Sequence, residues 1–144
     1  INVKEEGRRI VGQMQESLLD PSKALELFVQ GPSIYLPARQ ATACALIINE
    51  LLQNAVEHGY AQKNQGSITL ALIDEGDIVQ IQVRDDGEGL PPTFSLAQTE
   101  SLGLRIVQAL VQDDLHGEFA LTSADSETIA SVSFAKQVAE GEHI

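Results

Sequence analysis

The chain has few basic residues and almost no cysteine. Nine Lys and Arg stand against 21 Asp and Glu in 144 residues, which gives a formal net charge of −12. Because phosphate-rich surfaces are bound by clustered Lys and Arg, this balance argues against nucleic acid and an anionic membrane surface as partners. Cys44 is the single cysteine and lies in an apolar run, so the chain has neither a disulfide framework nor a thiolate metal cage. The longest apolar stretches are also too short to cross a bilayer.

The N-terminus lacks the features of a leader. The chain starts Ile1-Asn2-Val3, without Met and without a following apolar region, so we expect no signal peptide and a piece of a longer protein. A hydrophobic content of 43% suits one ordinary globular domain. We therefore expect a cytoplasmic domain without direct membrane contact.

Helical spacing of apolar residues predicts three helices. Residues 3–19 form an amphipathic pattern that ends near Pro21 and suits either the tail of a dimerisation helix or a surface helix packed on its own domain. A second, mostly buried helix is predicted from Ala38 to His58, with Gly59 as its C′ residue. The third runs from Leu102 to about Asp113.

Alternating patterns predict a set of short strands, at 25–29, 34–36, 67–73, 78–83, 118–122 and 129–134. Residues 74–77 read as a hairpin link, and 125–126 as another turn. This order predicts an α+β, two-layer sandwich, with a mixed, mainly antiparallel sheet and helices on one face. We expect a helical segment at 1–22, a globular domain at 23–136 and a polar tail at 137–144.

The first polar cluster lies within the predicted buried helix. Glu50, Asn54 and Glu57 fall on one stripe at four- and three-residue spacing. Buried carboxylates and amides need partners, so this stripe predicts a metal or ligand contact. A solvated edge of a half-buried helix would show the same pattern.

The second cluster is Asp85-Asp86-Gly87-Glu88-Gly89, which directly follows a strand. Its glycines let backbone approach a flat ligand, and a carboxylate at a strand end accepts a proton from an exocyclic amine such as that of adenine. A calcium loop would need more oxygen ligands at another spacing. A plain acidic turn is the alternative.

The third cluster, Ser101 to Val107, opens the third helix. Free backbone N–H groups and the positive dipole end favour a phosphate there, and Gly103 permits close approach. No Gly-x-x-x-x-Gly-Lys-Ser/Thr run is present, so this is not a P-loop. A helix that simply begins after a loop would look similar.

In this order, the three clusters resemble the N box, the Asp-x-Gly-x-Gly box and the Gly-x-Gly box of the catalytic ATP-binding domain of sensor histidine kinases. This family belongs to the GHKL superfamily, together with gyrase, MutL-type and heat-shock chaperone ATPases, and has the Bergerat fold. The likeness covers about 24–136. It implies that 23–136 is the ATP-binding catalytic domain and that 1–22 is the C-terminal tail of a dimerisation and phosphotransfer helix. The stretches 91–100 and 49–59 are most similar to a subfamily with a short ATP lid and Glu in the N box.

The resemblance implies ATP and Mg²⁺ as ligands. Asn54 matches the family's Mg²⁺ ligand, and Asp85 matches its adenine-binding carboxylate. Gly87 and Gly89 match glycines beside the base. His58 stands where the family places a nucleotide-contacting side chain.

The resemblance also implies a phosphate seat and a base. Gly103 and Leu104 match residues that offer amides to the phosphates, within a segment that includes Leu102 and Arg105. Glu50 matches a water-activating base in gyrase-type ATPases and a proton acceptor in related serine kinases. It is our candidate for a catalytic base or orienting group.

Two positions depart from the family pattern. Ser101 replaces the first glycine of the third box, which predicts a stiffer lid hinge. Glu57 stands where many members carry a phosphate-binding Lys, which leaves Lys63 or Arg105 as the nearest cations. In so acidic a chain, Mg²⁺ and helix amides must then neutralise most of the ATP charge.

None of the three histidines, His58, His116 and His143, lies in the N-terminal helical segment. His116 is most simply a cap or surface residue, and His143 is in the tail. The resemblance therefore implies a phosphoacceptor histidine outside this chain, in the parent kinase or another protein. It further implies a homodimeric parent and a downstream response regulator. An anti-sigma-factor serine kinase and a non-catalytic ATP-binding module are the alternatives.

Overall fold

A computed structural model of the chain describes residues 1–17, 22–60, 63–90, 94–99, 101–124 and 127–137. Its helices are α1 (Val3–Ser17), α2 (Ala38–Gly59) and α3 (Leu102–Leu110), with a 3₁₀ turn at Leu96–Gln98 and a π-helical turn at Val111–Leu115. Its strands are β1 (Ala24–Gln30), β2 (Gln65–Asp74), β3 (Ile78–Asp85), β4 (Glu118–Ala124) and β5 (Glu127–Ala135). Among the described helices, none is long and apolar enough to span a membrane.

The five strands form one mixed sheet in the order β1-β2-β3-β5-β4. Only β1 and β2 pair in parallel, and the other three pairs are antiparallel. Gly76, at φ 91°, closes the β2–β3 hairpin, where its amide donates to Asp74 Oδ1 at 3.0 Å. The predicted α+β sandwich and this hairpin are confirmed.

The core lies between the helices and one face of the sheet. Alternate residues of the central strands are buried beneath the helices, so both layers contribute fully buried side chains, including Ile47, Ile48, Leu52, Leu70, Ile81 and Val132. Burying such a side chain stabilises the fold by about 1.5–3 kcal/mol. Cys44 is part of this core, as predicted, and its burial raises the pKa of its thiol to about 12.

Helix α1 packs on this same core. Val3, Ile10, Val11 and Met14 are all buried. Gly7 faces β2 so closely that an added Cβ would lie 2.7 Å from Leu70 Cδ2. The structure therefore has the helix packed on its own domain, and its assignment as the tail of a dimerisation helix stays a prediction. The predicted helical positions 18–19 lie outside the described residues.

Several predicted boundaries were wrong. The segment 34–36 is not a strand: only Tyr35 forms an isolated bridge, to Asn2, because Pro32 and Pro37 bracket it. Gly59 is the last residue of α2 rather than a left-handed C′ residue, and the chain leaves the helix at Tyr60 with φ −131°.

The α-helical part of the third helix ends at Leu110, before the predicted Asp113, and a π-helical turn continues it to Leu115. His116 terminates this turn in the left-handed conformation, with φ 51°. The prediction of a capping or surface histidine is confirmed, since His116 is also exposed. The strands β2, β3, β4 and β5 run one or two residues beyond the predicted ends. The turn at 125–126 and the tail at 138–144 lie outside the described residues.

Candidate functional site

One stripe of α2 carries Glu50, Asn54 and His58 at successive four-residue intervals, so the three side chains lie one above another. Asn54 and His58 line a cleft of about 370 Å³, a size within the range of small-molecule sites. The other lining residues come from the loops and from α3 and β4: Gly89, Leu90, Phe94, Thr99, Ser101, Leu104 and Leu121. The cleft therefore takes lining residues from each of the three predicted clusters. Glu50, Asp85, Gly87 and Gly103 are not among them, and Glu57, predicted on the same helix stripe, is exposed.

Asp85 ends β3 on the buried side of the sheet. It is 6% exposed and lies opposite Thr128 of β5 in the strand register. Its Oδ1 accepts a hydrogen bond from the Gly87 amide at 3.0 Å. Burial raises the pKa of this carboxyl above its usual value, and the neighbouring Asp86 and Glu127 add to the effect against the Gly87 amide. A donor brought by a ligand would offset the cost of keeping such a carboxylate ionised.

Beyond Asp85, the loop is held by a residue that the sequence pattern did not indicate. Gly89 has φ 77°, and an added Cβ would lie 2.9 Å from Ser123 Oγ of β4. The Leu90 amide donates to the same hydroxyl at 3.2 Å. Thr128 and Ser123 were both missed because only strand pairing brings them to the loop.

The start of α3 forms the other wall of the cleft. Ser101 is its N-cap: the hydroxyl accepts from the Leu104 amide at 3.3 Å, and the carbonyl accepts from the Arg105 amide at 3.1 Å. The remaining first-turn amides have no partner within the helix. The serine in place of the family's glycine thus adds a cap to this helix.

The Glu50 carboxylate lies against this helix start. A Cβ added to Gly103 would lie 2.8 Å from Glu50 Oε2, so a glycine is needed for this approach. Leu102 is 71% exposed at the same end of the helix. Arg105 is exposed and does not line the cleft.

Lys63 is occupied elsewhere. Its ammonium donates to the carbonyl oxygens of Asp86 and Gly87, at 3.1 and 3.0 Å. Neither of the two cations suggested by the sequence therefore lines the cleft. A larger groove of about 750 Å³ that contains Lys63 runs along the exposed side of β1 and β2, and its lining residues include neither Asn54 nor a residue of α3.

The donor set at the cleft fits a magnesium ion. Mg²⁺ prefers hard oxygen ligands and takes only one or two from the protein, with phosphates and waters completing its shell. Glu50 and Asn54 offer such oxygens, one turn apart on α2. Within the described ranges there is no group of three or more His, Cys, Asp or Glu that would hold a metal without a phosphate ligand.

Residues 40–138, more than half of the chain, match the family of histidine kinase-, DNA gyrase B- and HSP90-like ATPases. The chain belongs to this family. It is an ATP-binding domain with the fold that the three clusters implied.

Similar proteins within the family are named as histidine kinases. The sensor histidine kinase PdtaS of Mycolicibacterium smegmatis is 40% identical over 92 residues, 63% of this chain and 18% of the relative. The solved histidine kinase domain of a blue-light activated histidine kinase from Erythrobacter litoralis is 26% identical with a TM-score of 0.83. That match covers 93% of this chain and 65% of the other.

A shorter match is to the anti-sigma F factor of Bacillus licheniformis, 33% identical over 52 residues, which is 36% of each chain. This chain spans less than a fifth of the length of the PdtaS kinase.

Proposed function

We propose that this chain is the Mg-ATP-binding catalytic domain of a sensor histidine kinase, which transfers the γ-phosphate to a histidine outside the chain. The observation that carries the proposal is that Asn54 and His58 on α2, Gly89 on the loop, and Ser101 and Leu104 on α3 line one cleft. The similarity to named sensor histidine kinases supports it.

The adenine end of the nucleotide is assigned to the loop after β3. Asp85 accepts a hydrogen bond from the exocyclic amine, and Gly87 and Gly89 leave room for the flat base. His58 contacts the nucleotide from α2. The buried position of Asp85 makes this contact selective, because a ligand without a donor leaves the carboxylate uncompensated.

The phosphate end is assigned to the start of α3. The amides of Gly103 and Leu104 donate to the phosphate oxygens. To do so, the Leu104 amide gives up its hydrogen bond to the Ser101 hydroxyl. Asn54 is the proposed Mg²⁺ ligand. When bound, the metal would neutralise charge on the phosphates. The chain itself has a net charge of −12 and no Lys or Arg among the residues described as lining the cleft, so it does not provide this neutralisation.

Glu50 is the proposed base or orienting group. An imidazole nitrogen of the acceptor attacks the γ-phosphorus in line, and ADP leaves. The new phosphoimidazole must then lose its other N–H proton, for which a carboxylate beside the phosphate seat is a suitable acceptor. Glu50 lies against Gly103, at that seat.

The acceptor is proposed to come from a phosphoacceptor domain of the parent protein, a homodimer that then passes the phosphate to a response regulator. His116 ends a helical turn, and His58 lines the nucleotide cleft. Leu102 and Ile106 are large apolar side chains exposed beside the phosphate seat, which suits a docked helical domain.

The test is calorimetric titration with Mg-ATP. We expect binding to wild type, loss of binding in Asp85→Asn and weaker binding in Asn54→Ala. Asp77→Asn, the same change on the exposed hairpin at the other end of β3, is the control and should bind normally. Unchanged affinity in Asp85→Asn would remove the adenine assignment.

The shorter anti-sigma F match keeps a serine kinase as the second candidate. The two functions differ in the acid stability of the phosphorylated acceptor, since phosphohistidine is acid-labile and phosphoserine is not. An ATP-binding module without transfer would bind Mg-ATP and leave every acceptor unlabelled.

A further inference from the structure

The first residue after α2, Tyr60, is a fully buried tyrosine with a fully engaged hydroxyl. This hydroxyl lies 2.6 Å from Asp86 Oδ1 and 2.9 Å from the Ser67 carbonyl oxygen, and it accepts from the Asp86 amide at 3.2 Å. Because a phenol has one proton, it donates to one of the two oxygens at a time. The end of α2 is thereby tied both to β2 and to the residue after Asp85.

Further contacts close a network around Asp86. Its Oδ1 also accepts from the Ser67 amide at 2.9 Å. Burial alone would raise the pKa of this carboxyl, but the hydrogen bonds from Tyr60 and Ser67 outweigh it, and the pKa lies below its usual value. Gly66 leaves the space for the network, because its Cβ would lie 2.4 Å from Tyr60 Cε1 and 2.5 Å from Asp86 Oδ1.

Lys63 secures the next peptide groups, through its bonds to the carbonyls of Asp86 and Gly87. Two glycines follow Asp86 at alternate positions, so the loop has little conformational restriction of its own. A binding loop that must be ordered by its ligand loses affinity by the cost of that ordering. Contacts that order it beforehand remove this cost.

We propose that Tyr60 and Lys63 are positioning residues for the adenine-binding loop, which they hold against the end of α2 through Asp86 and Gly87. Tyr60 follows His58 by two residues, and Asp86 directly follows Asp85, so their contact sets the spacing between the helix wall and the adenine wall of the cleft. This inference rests on the proposed nucleotide site.

The main test is Tyr60→Phe, which deletes only the hydroxyl. We expect Mg-ATP to bind about 3- to 10-fold more weakly by calorimetry, the effect of one hydrogen bond. Tyr35→Phe is the matched control, because Tyr35 is the other tyrosine and is 67% exposed, and it should bind like wild type. Asp86→Asn keeps an oxygen acceptor and should retain most of the affinity, whereas Asp86→Ala should behave like Tyr60→Phe.

Amide hydrogen exchange separates positioning from a general loss of stability. In Tyr60→Phe the amides of Ser67 and Gly87 should exchange faster, while those of central β3 exchange at the wild-type rate. Lys63→Met, at an exposed position, should also weaken Mg-ATP binding, and it keeps the test open if Tyr60→Phe does not fold.

Wild-type affinity in Tyr60→Phe and Lys63→Met, or a rise in exchange throughout the sheet, would overturn the positioning role. Failure of the proposed function would give a different result: Asp85→Asn would bind Mg-ATP with the wild-type affinity. The two inferences are therefore tested separately.

Discussion

Gly103 offers a test in which stability and nucleotide binding change in opposite directions. In Gly103→Ala, the new methyl group would lie 2.8 Å from Glu50 Oε2. The two atoms are then too close, so the Glu50 carboxylate must move, and the end of a flexible glutamate side chain moves at little cost. Alanine is favoured over glycine in a helix by about 1 kcal/mol, so the variant should unfold about 2–4 °C above wild type.

Binding should nevertheless fall. The methyl group occupies the approach to the start of α3 and displaces the Glu50 carboxylate that lies there. Loss of one hydrogen bond to a charged phosphate costs about 1.5–3 kcal/mol, so we expect Mg-ATP affinity to drop about 10- to 100-fold in calorimetry.

Gly12→Ala is the matched control, because Gly12 lies within α1 and its Cβ would meet nothing within 4 Å. This variant should gain similar stability and bind Mg-ATP normally. Equal affinity in the two alanine variants would refute the assignment of Gly103 to the phosphate seat. A large drop in melting temperature for Gly103→Ala alone would refute the expectation that the Glu50 side chain moves at little cost.

Two other predictions concern stability. The raised pKa of Asp85 means that the folded state holds this proton more tightly than the unfolded chain, so ionisation destabilises the fold as pH rises through the folded pKa. Asp85→Asn should therefore melt above wild type at pH 7, and the difference should vanish below about pH 4, near the unfolded pKa; a gain independent of pH would contradict this. Ser101→Ala removes the cap of α3 and should cost about 1 kcal/mol in urea unfolding, whereas Ser101→Gly should cost only a few tenths. Equal losses in the two Ser101 variants would argue against the cap.

The placement of the site followed from local patterns for some residues and not for others. Glu50 and Asn54 could be assigned to one stripe because four-residue spacing on a helix sets the direction of side chains, whereas Glu57, predicted on that stripe, is exposed. The role of His58 was implied by the resemblance alone. Asp85 could be placed at a strand end because alternation in β3 continues through Val83. Ser123 and Thr128 carried no such signal, since their relation to the loop depends on the pairing of β3 with β5 and of β5 with β4.

Lys63 shows what inference from charge alone could not decide. The sequence left Lys63 or Arg105 as the nearest cation for the phosphates, because Glu57 stands where many members of the family carry a phosphate-binding Lys. In the structure its ammonium is bound to two carbonyls of the loop. A charged side chain of this length reaches many partners, and only the folded backbone decides which are near.

The sequence by itself determined the α+β class, the three clusters and their order, because these depend on periodicity, glycine placement and charge, which act over a few residues. Tertiary structure alone decided that α1 joins the core, that Glu50 meets Gly103, and that Tyr60 reaches Asp86. Those contacts join residues tens of positions apart, so they exist only once the hydrophobic faces of helices and sheet have packed. Burial then imposes hydrogen-bond partners that no local pattern specifies.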